Sequence, residues 1–302
     1  MKEKEFISVI KEVLQSEYIG DDCAYLKDLG IVVTQDSLVE NVHFRRDFMN
    51  PFELGYKSVA VNLSDVAASG AQAKYLTIAL SLPSDIDNEF IKSFYEGAKF
   101  ACGNDVKIVG GDITGADKVL VSVCAIGASA FRKVSSRKCA KVGYKVVVSG
   151  LHGSSAAGLR LLMQGKRQPK KFIDAHLMPK VQTEFAREIS SSVKQDYAMM
   201  DTSDGLLDAL STIANESGVF LDIDFNKIPY DKDIEQFDFW QNMVLFGGED
   251  YGIVAVVPQE LDCGGVVVGE AKLGLGVNLR FSDNSVYYTK ADVEKHIFEH
   301  FN

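Results

Sequence analysis

Residues 32–44 read VVTQDSLVENVHF: two valines and a threonine, a glutamine, a carboxylate at Asp36 and, seven positions on, His43. The β-branched run favours an extended strand, and Asp36 beside Ser37 is ordinary chemistry for the turn that ends one. On these residues alone Asp36 reads as a turn residue rather than a ligand. The pattern recurs, however. Acids sit beside small residues at Gly20-Asp21-Asp22, Gly110-Gly111-Asp112, Asp201-Thr202-Ser203-Asp204-Gly205 and Gly247-Gly248-Glu249-Asp250. Each alone is a turn or a helix cap; together they could supply the oxygen ligands that hard divalent cations require alongside phosphates.

Around these acids, short extended segments are predicted at 23–26 and 31–34. Pro51 then opens a helix in which Leu54, Val59, Leu63 and Val66 recur at helical spacing and Gly70 supplies the stop. Within it Asp65 is either a ligand or, with Asn62 and Ser69, part of a solvated face. Strands are predicted at 76–82, 106–109 and 119–126, with a helix at 88–103. After a basic stretch the pattern restarts at 145–149 (strand), 154–163 (helix), 179–191 (helix), 197–200 (strand) and 206–217 (helix), with strands near Leu221, Ile253 and Val266. The two halves divide into domains at 1–136 and 137–302.

Composition sets bounds. At 302 residues the chain exceeds what one core usually serves, so two domains of roughly 130–170 residues are expected. With 46% hydrophobic and 25% charged residues it reads as an ordinary soluble globular protein. A net charge of −10 without a long basic run gives no support to nucleic-acid binding. The N-terminal MKEKEFISVIKEVLQSEY is a surface helix rather than an export signal, and no segment suits a membrane span. Cys23, Cys102, Cys124, Cys139 and Cys263 are scattered and never in a CxxC arrangement, which suits reduced thiols and the cytoplasm.

VVVSGLHGSSAAGLRLL at 146–162 is a strand, a glycine turn and a helix start, a geometry suited to an anion. It lacks the lysine of a P-loop, so phosphate binding there is the minority reading. The five histidines form no nucleophile or metal motif, with neither GxSxG nor HExxH present. Acids and glycines without a histidine cluster point to phosphate chemistry.

IGDDCAYL, TQDSLVENVHF, GYKSVAVNLSDVAASGA, IVGGDITG, SGLHGSSAAGL, MMDTSDGLLDAL and FGGEDYGIV, in this order from residue 19 to about 254, resemble the thiamine-monophosphate kinases. These belong to the superfamily that includes aminoimidazole ribonucleotide synthetase, selenophosphate synthetase and a hydrogenase maturation factor. The resemblance implies a PurM-like α+β fold: an N-terminal mixed sheet that pairs into a barrel across a homodimer, and a C-terminal α/β sandwich. It implies ATP-dependent phosphorylation of thiamine monophosphate to thiamine diphosphate, by direct in-line transfer assisted by several Mg²⁺ ions, with room for K⁺. Carried over by position, Asp22, Thr34, Gln35, Asp36, Asp65, Asp112, Asp201 and Asp204 are implied metal ligands, with Asp36, Asp65, Asp112 and Asp204 the catalytic set. Gly111, Arg137 and Ser203 are implied ATP contacts; His43, Glu249 and Phe298 are implied contacts of the thiamine phosphate.

Two positions depart from the family pattern. Gln35 stands where threonine is common, and Gly252 where an acid follows GGEDY. These substitutions are the support for an alternative, a non-catalytic nucleotide-binding member of the superfamily. Other members fit less well: the chain ends in Phe301-Asn302 rather than the hydrogenase factor's cysteine, and selenophosphate synthetase would need a reactive N-terminal Cys or selenocysteine with a nearby lysine.

Overall fold

A computed structural model describes residues 2–296. Its N-terminal elements are α1 (Lys2–Leu14), β1 (Ala24–Leu26), β2 (Ile31–Val39), α2 (Pro51–Ala68), β3 (Gln72–Leu82), α3 (Asn88–Cys102), β4 (Lys107–Gly115) and β5 (Leu120–Ala128). The five strands form one sheet in the order β1-β2-β5-β3-β4, antiparallel except for the parallel β3–β4 pair. Alternation along β5 buries Val121, Val123 and Ala125 on one face and leaves Ser122 and Cys124 half-buried on the other. α2 and α3 cover the first face. They approach so closely that a Cβ on Gly55 would collide with the Phe94 carbonyl, and one on Gly97 with that of Phe52.

α2 starts where its sequence dictates. The Asn50 side chain accepts from Glu53 N–H, the Glu53 carboxylate accepts from Asn50 N–H, and Pro51 fills the first turn. The helix is not a surface element. Lys57 and Asn62 are fully buried and Ser69 nearly so: the second half of the chain packs over Lys57, and Asn62 faces β2, accepting from the Asp36 N–H. The solvated-face reading of Asn62, Asp65 and Ser69 is therefore overturned.

The second half carries β6 (Lys145–Ser149), α4 (Ser154–Met163), α5 (Lys170–Leu177), α6 (Thr183–Ser192), β7 (Ala198–Asp201), α7 (Leu206–Ser217), β8 (Phe220–Asp224), α8 (Trp240–Phe246), β9 (Ile253–Val257), β10 (Val266–Lys272), β11 (Gly276–Arg280), β12 (Ser285–Tyr288) and α9 (Lys290–Glu294). Its seven-stranded sheet runs β12-β11-β8-β10-β6-β9-β7, with only β8–β11 parallel among the pairs. β9 is buried at every position, as a strand covered on both faces must be. β7 at the sheet edge ends at Asp201, beside α2.

Two expected strand ends continue through their acids. β2 does not stop at Thr34 but runs to Val39, and β4 runs through Gly110-Gly111-Asp112 to Gly115. Cross-strand pairing sustains both: Asp36 pairs with Val123, and Asp112 with Ala79. Asp36 and Asp112 are thus strand residues, and strand alternation decides which face each serves.

Candidate active site

A cavity of about 1070 Å³ lies between the helix-covered side of the N-terminal sheet and the turns at one end of the C-terminal one. Asp36, Asp65, Ser203 and Asp204 line one part; His43, His176, Glu249 and Tyr251 line another.

The acid end is assembled from four segments. Asp22 precedes β1, Asp65 comes from α2 and Asp201 from the end of β7; oxygens of these three lie within 4.8 Å of one another. Thr34 and Asp36 face the same side because they pair with Ala125 and Val123, which point into the core. Thr34 Oγ1 donates to Asp65 (2.7 Å), Ser64 Oγ to Asp201 (2.7 Å) and Ser203 Oγ to the other Asp201 oxygen (2.9 Å). Arg137 Nη2 donates to Asp22 at 2.7 Å.

Burial raises the pKa of all three acids, to about 7 at Asp201 and well above the ordinary range at Asp65, where repulsion from Asp36, Asp201 and Asp22 adds to it. Two like charges about 4 Å apart repel by roughly 4 kcal/mol at an effective dielectric near 20. One arginine does not offset three carboxylates. The donor set, hard oxygens converging with excess negative charge, fits Mg²⁺.

The other end is built differently. The Val39 N–H donates to His43 Nδ1 at 3.0 Å, so neutral His43 carries its proton on Nε2 and offers a donor there. Glu249 sits at φ 65° and is held by its own N–H donating to the Ser203 carbonyl (2.7 Å). Its carboxylate meets Lys57 Nζ at 3.2 Å and His176 Nδ1 at 3.4 Å. Burial would raise the Glu249 pKa, but the Lys57 charge holds it below the ordinary value. Burial and the Lys57 charge push His176 down to about 3, so it is neutral.

The helix-start reading of 146–162 takes a definite form. The group at the α4 N-terminus is the chain's own Asp250, whose side-chain oxygens accept from the N–H groups of Gly153 and Ser155 and whose pKa burial raises to about 7. This bond ties the GGED turn to α4 and thereby positions Glu249. Gly252 is also explained: a Cβ there would lie 2.6 Å from the Ser149 carbonyl and 2.7 Å from the buried His152 ring. His152 takes the space that a side chain at 252 would need.

Three expected residues lie elsewhere. Gln35 points to the outer face of the N-terminal sheet, where Nε2 donates to Ser122 Oγ (3.1 Å). Asp112 and Gly111 line the same outer trough, with Thr77, Ala79, Ser122 and Cys124. β4 is three strand spacings from β2, about 14 Å. Within one chain these residues are not brought to the acid cluster. Phe298 lies outside the described residues; His296, on the described side of it, lines the cavity with its ring 4.3 Å from that of Phe246.

Relatives match this arrangement over most of its length. The family described as AIR synthase related protein matches with its N-terminal domain at residues 20–129 and its C-terminal domain at 141–267. The thiamine-monophosphate kinase of Aquifex aeolicus is 35% identical over 266 residues, 84% of this chain and 85% of that protein. The chain belongs to the thiamine-monophosphate kinase family. The Bacillus subtilis thiamine-monophosphate kinase is likewise 35% identical, covering 80% of this chain and 78% of its own. A solved structure of AaThiL complexed with AMPPCP and TMP superposes with a TM-score of 0.84 at 32% identity, covering 94% of this chain and 96% of that one. The PurM-like α+β fold of two sheets is that of this kinase family.

Membership leaves several of this chain's groups to the structure alone. Lys57, Ser64 and His176 hold the site together, yet sequence reasoning did not select them. The available signal was Lys57, a charge set within the apolar spacing of α2.

Proposed function

We propose that this protein transfers the γ-phosphoryl group of ATP to thiamine monophosphate, giving thiamine diphosphate and ADP. The observation that carries the reading is the meeting, at one cavity, of a carboxylate cluster that one arginine under-compensates and that reaches the cavity through Asp65, with a His43–Glu249 wall whose charge is already balanced. The first suits cation-bound polyphosphate; the second suits the acceptor.

The acceptor's phosphate oxygens are ionised near neutral pH, so transfer needs no general base, in accord with the lack of a catalytic histidine motif. An acceptor oxygen attacks the γ-phosphorus as the bond to the ADP oxygen breaks, and the chemistry is positioning and charge stabilisation. Asp22, Asp65 and Asp201, with Thr34, Asp36 and Asp204 beside them, would hold Mg²⁺, which supplies neutralisation of the phosphate charge when bound. His43 offers Nε2–H to an acceptor phosphate oxygen. Glu249 stays ionised to meet the positive thiamine ring system. Ser203 and Arg137 border the nucleotide end, and Arg137 already orients Asp22.

We further propose that the chain divides at 136/137 and forms a homodimer through the N-terminal sheet, so that the trough of Gln35, Gly111 and Asp112 falls in the interface. Support comes from β4, which is exposed along nearly its whole length. Reduced, scattered cysteines support a cytoplasmic setting, and among the described residues no helix is long and apolar enough to cross a membrane. Light scattering at micromolar concentration tests the dimer; a strict monomer would reject it.

The function is tested with purified protein, ATP, Mg²⁺ and thiamine monophosphate, reading thiamine diphosphate. Product formed with inversion at the transferred phosphorus is expected. Retention, or a trapped phosphoprotein, contradicts direct transfer. Nucleotide binding without product would select the non-catalytic reading that Gln35 and Gly252 motivate.

A further inference from the structure

Lys57 is fully buried in the middle of α2 and does not line the cavity. An ammonium removed from water costs several kcal/mol unless it is paired and hydrogen-bonded. Lys57 satisfies this from the second half of the chain. Its Nζ donates to the His176 carbonyl of α5 at 2.8 Å and meets Glu249 Oε1 at 3.2 Å. The lysine thus stands behind the cavity wall and Glu249 in it.

The other supports of Glu249 converge on the same carboxylate. His176 Nδ1 approaches Oε2 at 3.4 Å and Ser155 Oγ at 3.1 Å. The Glu249 backbone, at positive φ, is fixed by its hydrogen bond to Ser203 and by Asp250 capping α4. A non-glycine residue at such a φ persists when its surroundings over-determine it. The rotamer and the charge of Glu249 are therefore set by the folded chain itself, before any ligand arrives.

We infer that Lys57 is a positioning residue for the acceptor: from behind the wall it fixes the Glu249 carboxylate so that the cavity selects a phosphate ester whose organic part carries positive charge or N–H donors. This deepens the thiamine-monophosphate reading above and rests on it. Lys57 does not line the cavity and reaches it only through Glu249, so its effect falls on the acceptor and spares the nucleotide.

The test is calorimetric binding of thiamine monophosphate together with steady-state kinetics, on wild type, Lys57→Met, Glu249→Gln and the double variant. Lys57→Met is expected to weaken thiamine monophosphate binding and raise its KM by about tenfold or more, as for loss of a charge-assisted contact, with the KM for ATP changed by less than about twofold. Because Lys57 acts through Glu249, adding Lys57→Met to Glu249→Gln changes affinity no further. Equal acceptor affinity in wild type and Lys57→Met, additive losses in the double variant, or a parallel rise in both KM values overturns the inference. Should Lys57→Met not fold, Lys57→Gln with Glu249→Gln keeps an amide pair in place; wild-type affinity in that protein overturns the inference equally. A wild-type protein that binds no thiamine monophosphate brings down the functional reading itself, an outcome distinct from the others.

Discussion

The acid cluster, which reaches the cavity through Asp65, and Glu249 at the cavity's other end have opposite electrostatics. At Asp22, Asp65 and Asp201, burial and mutual repulsion raise the pKa values, and Arg137 is the cation paired with the cluster. At Glu249 the same burial is overcome by Lys57, and the pKa falls. The difference lies in where the compensating charge comes from. The Glu249 wall carries its own lysine and is complete in the folded chain; the acid cluster has one arginine for three carboxylates and, on the function proposed above, takes its further charge from a cation in solution. One end is preorganised to recognise, the other to bind charge.

The largest effect that can break this contrast is metal removal. Chelation should abolish product formation and, at pH 8, lower the thermal midpoint relative to protein in millimolar Mg²⁺; an unchanged midpoint and activity would remove the cation from the account. The pH dependence has a fixed sign. Asp201 holds its proton more tightly in the folded than in the unfolded state, so its contribution is complete below pH 3.8 and is lost as the pH rises through about 7. Melting curves of chelated protein should therefore show stability falling across that window, and Mg²⁺ should flatten the fall. A chelated protein that gains stability from pH 5 to 8 would contradict the placement of Asp201.

A smaller effect separates the two ends. His43→Ala should raise the KM for thiamine monophosphate about tenfold with kcat changed far less, as for loss of a contact made in ground and transition states alike. An unchanged KM takes His43 out of the acceptor site. Smaller again is Asp250→Ala, which leaves the N–H groups of Gly153 and Ser155 without their acceptor and should cost about 1–2 kcal/mol in denaturant unfolding. A loss below about 0.3 kcal/mol would mean that Asp250 does not organise the GGED turn.

Much of this was legible in the sequence, and the failures have physical causes. The apolar spacing that follows Pro51 announced α2, and the acids at 22, 36, 65, 201 and 204 are legible in the sequence as candidate ligands. Missed was the continuation of β2 and β4 through Asp36 and Asp112. Glycine and aspartate are local turn signals, and cross-strand partners at Val123 and Ala79, distant in sequence, overrode them. The consequence was functional: once both acids are strand residues, alternation puts Gln35 and Asp112 on the outer face and Asp36 on the inner one. α5 and α8, which help enclose the cavity, were also missed, being only eight and seven residues long. Lys57 escaped because a lysine on a helix ordinarily means solvent, and only the packing of the second half on α2 buries it.

The most direct measurement is thiamine diphosphate formation by Asp65→Asn at saturating ATP and Mg²⁺, with the thermal midpoint of the chelated variant followed in parallel. Loss of one cation ligand should lower kcat by about a thousandfold, while removal of a carboxyl that is costly to ionise in this cluster leaves the chelated variant at least as stable as chelated wild type. Near-normal turnover, or a chelated variant markedly less stable than wild type, would contradict a cluster built to receive a cation.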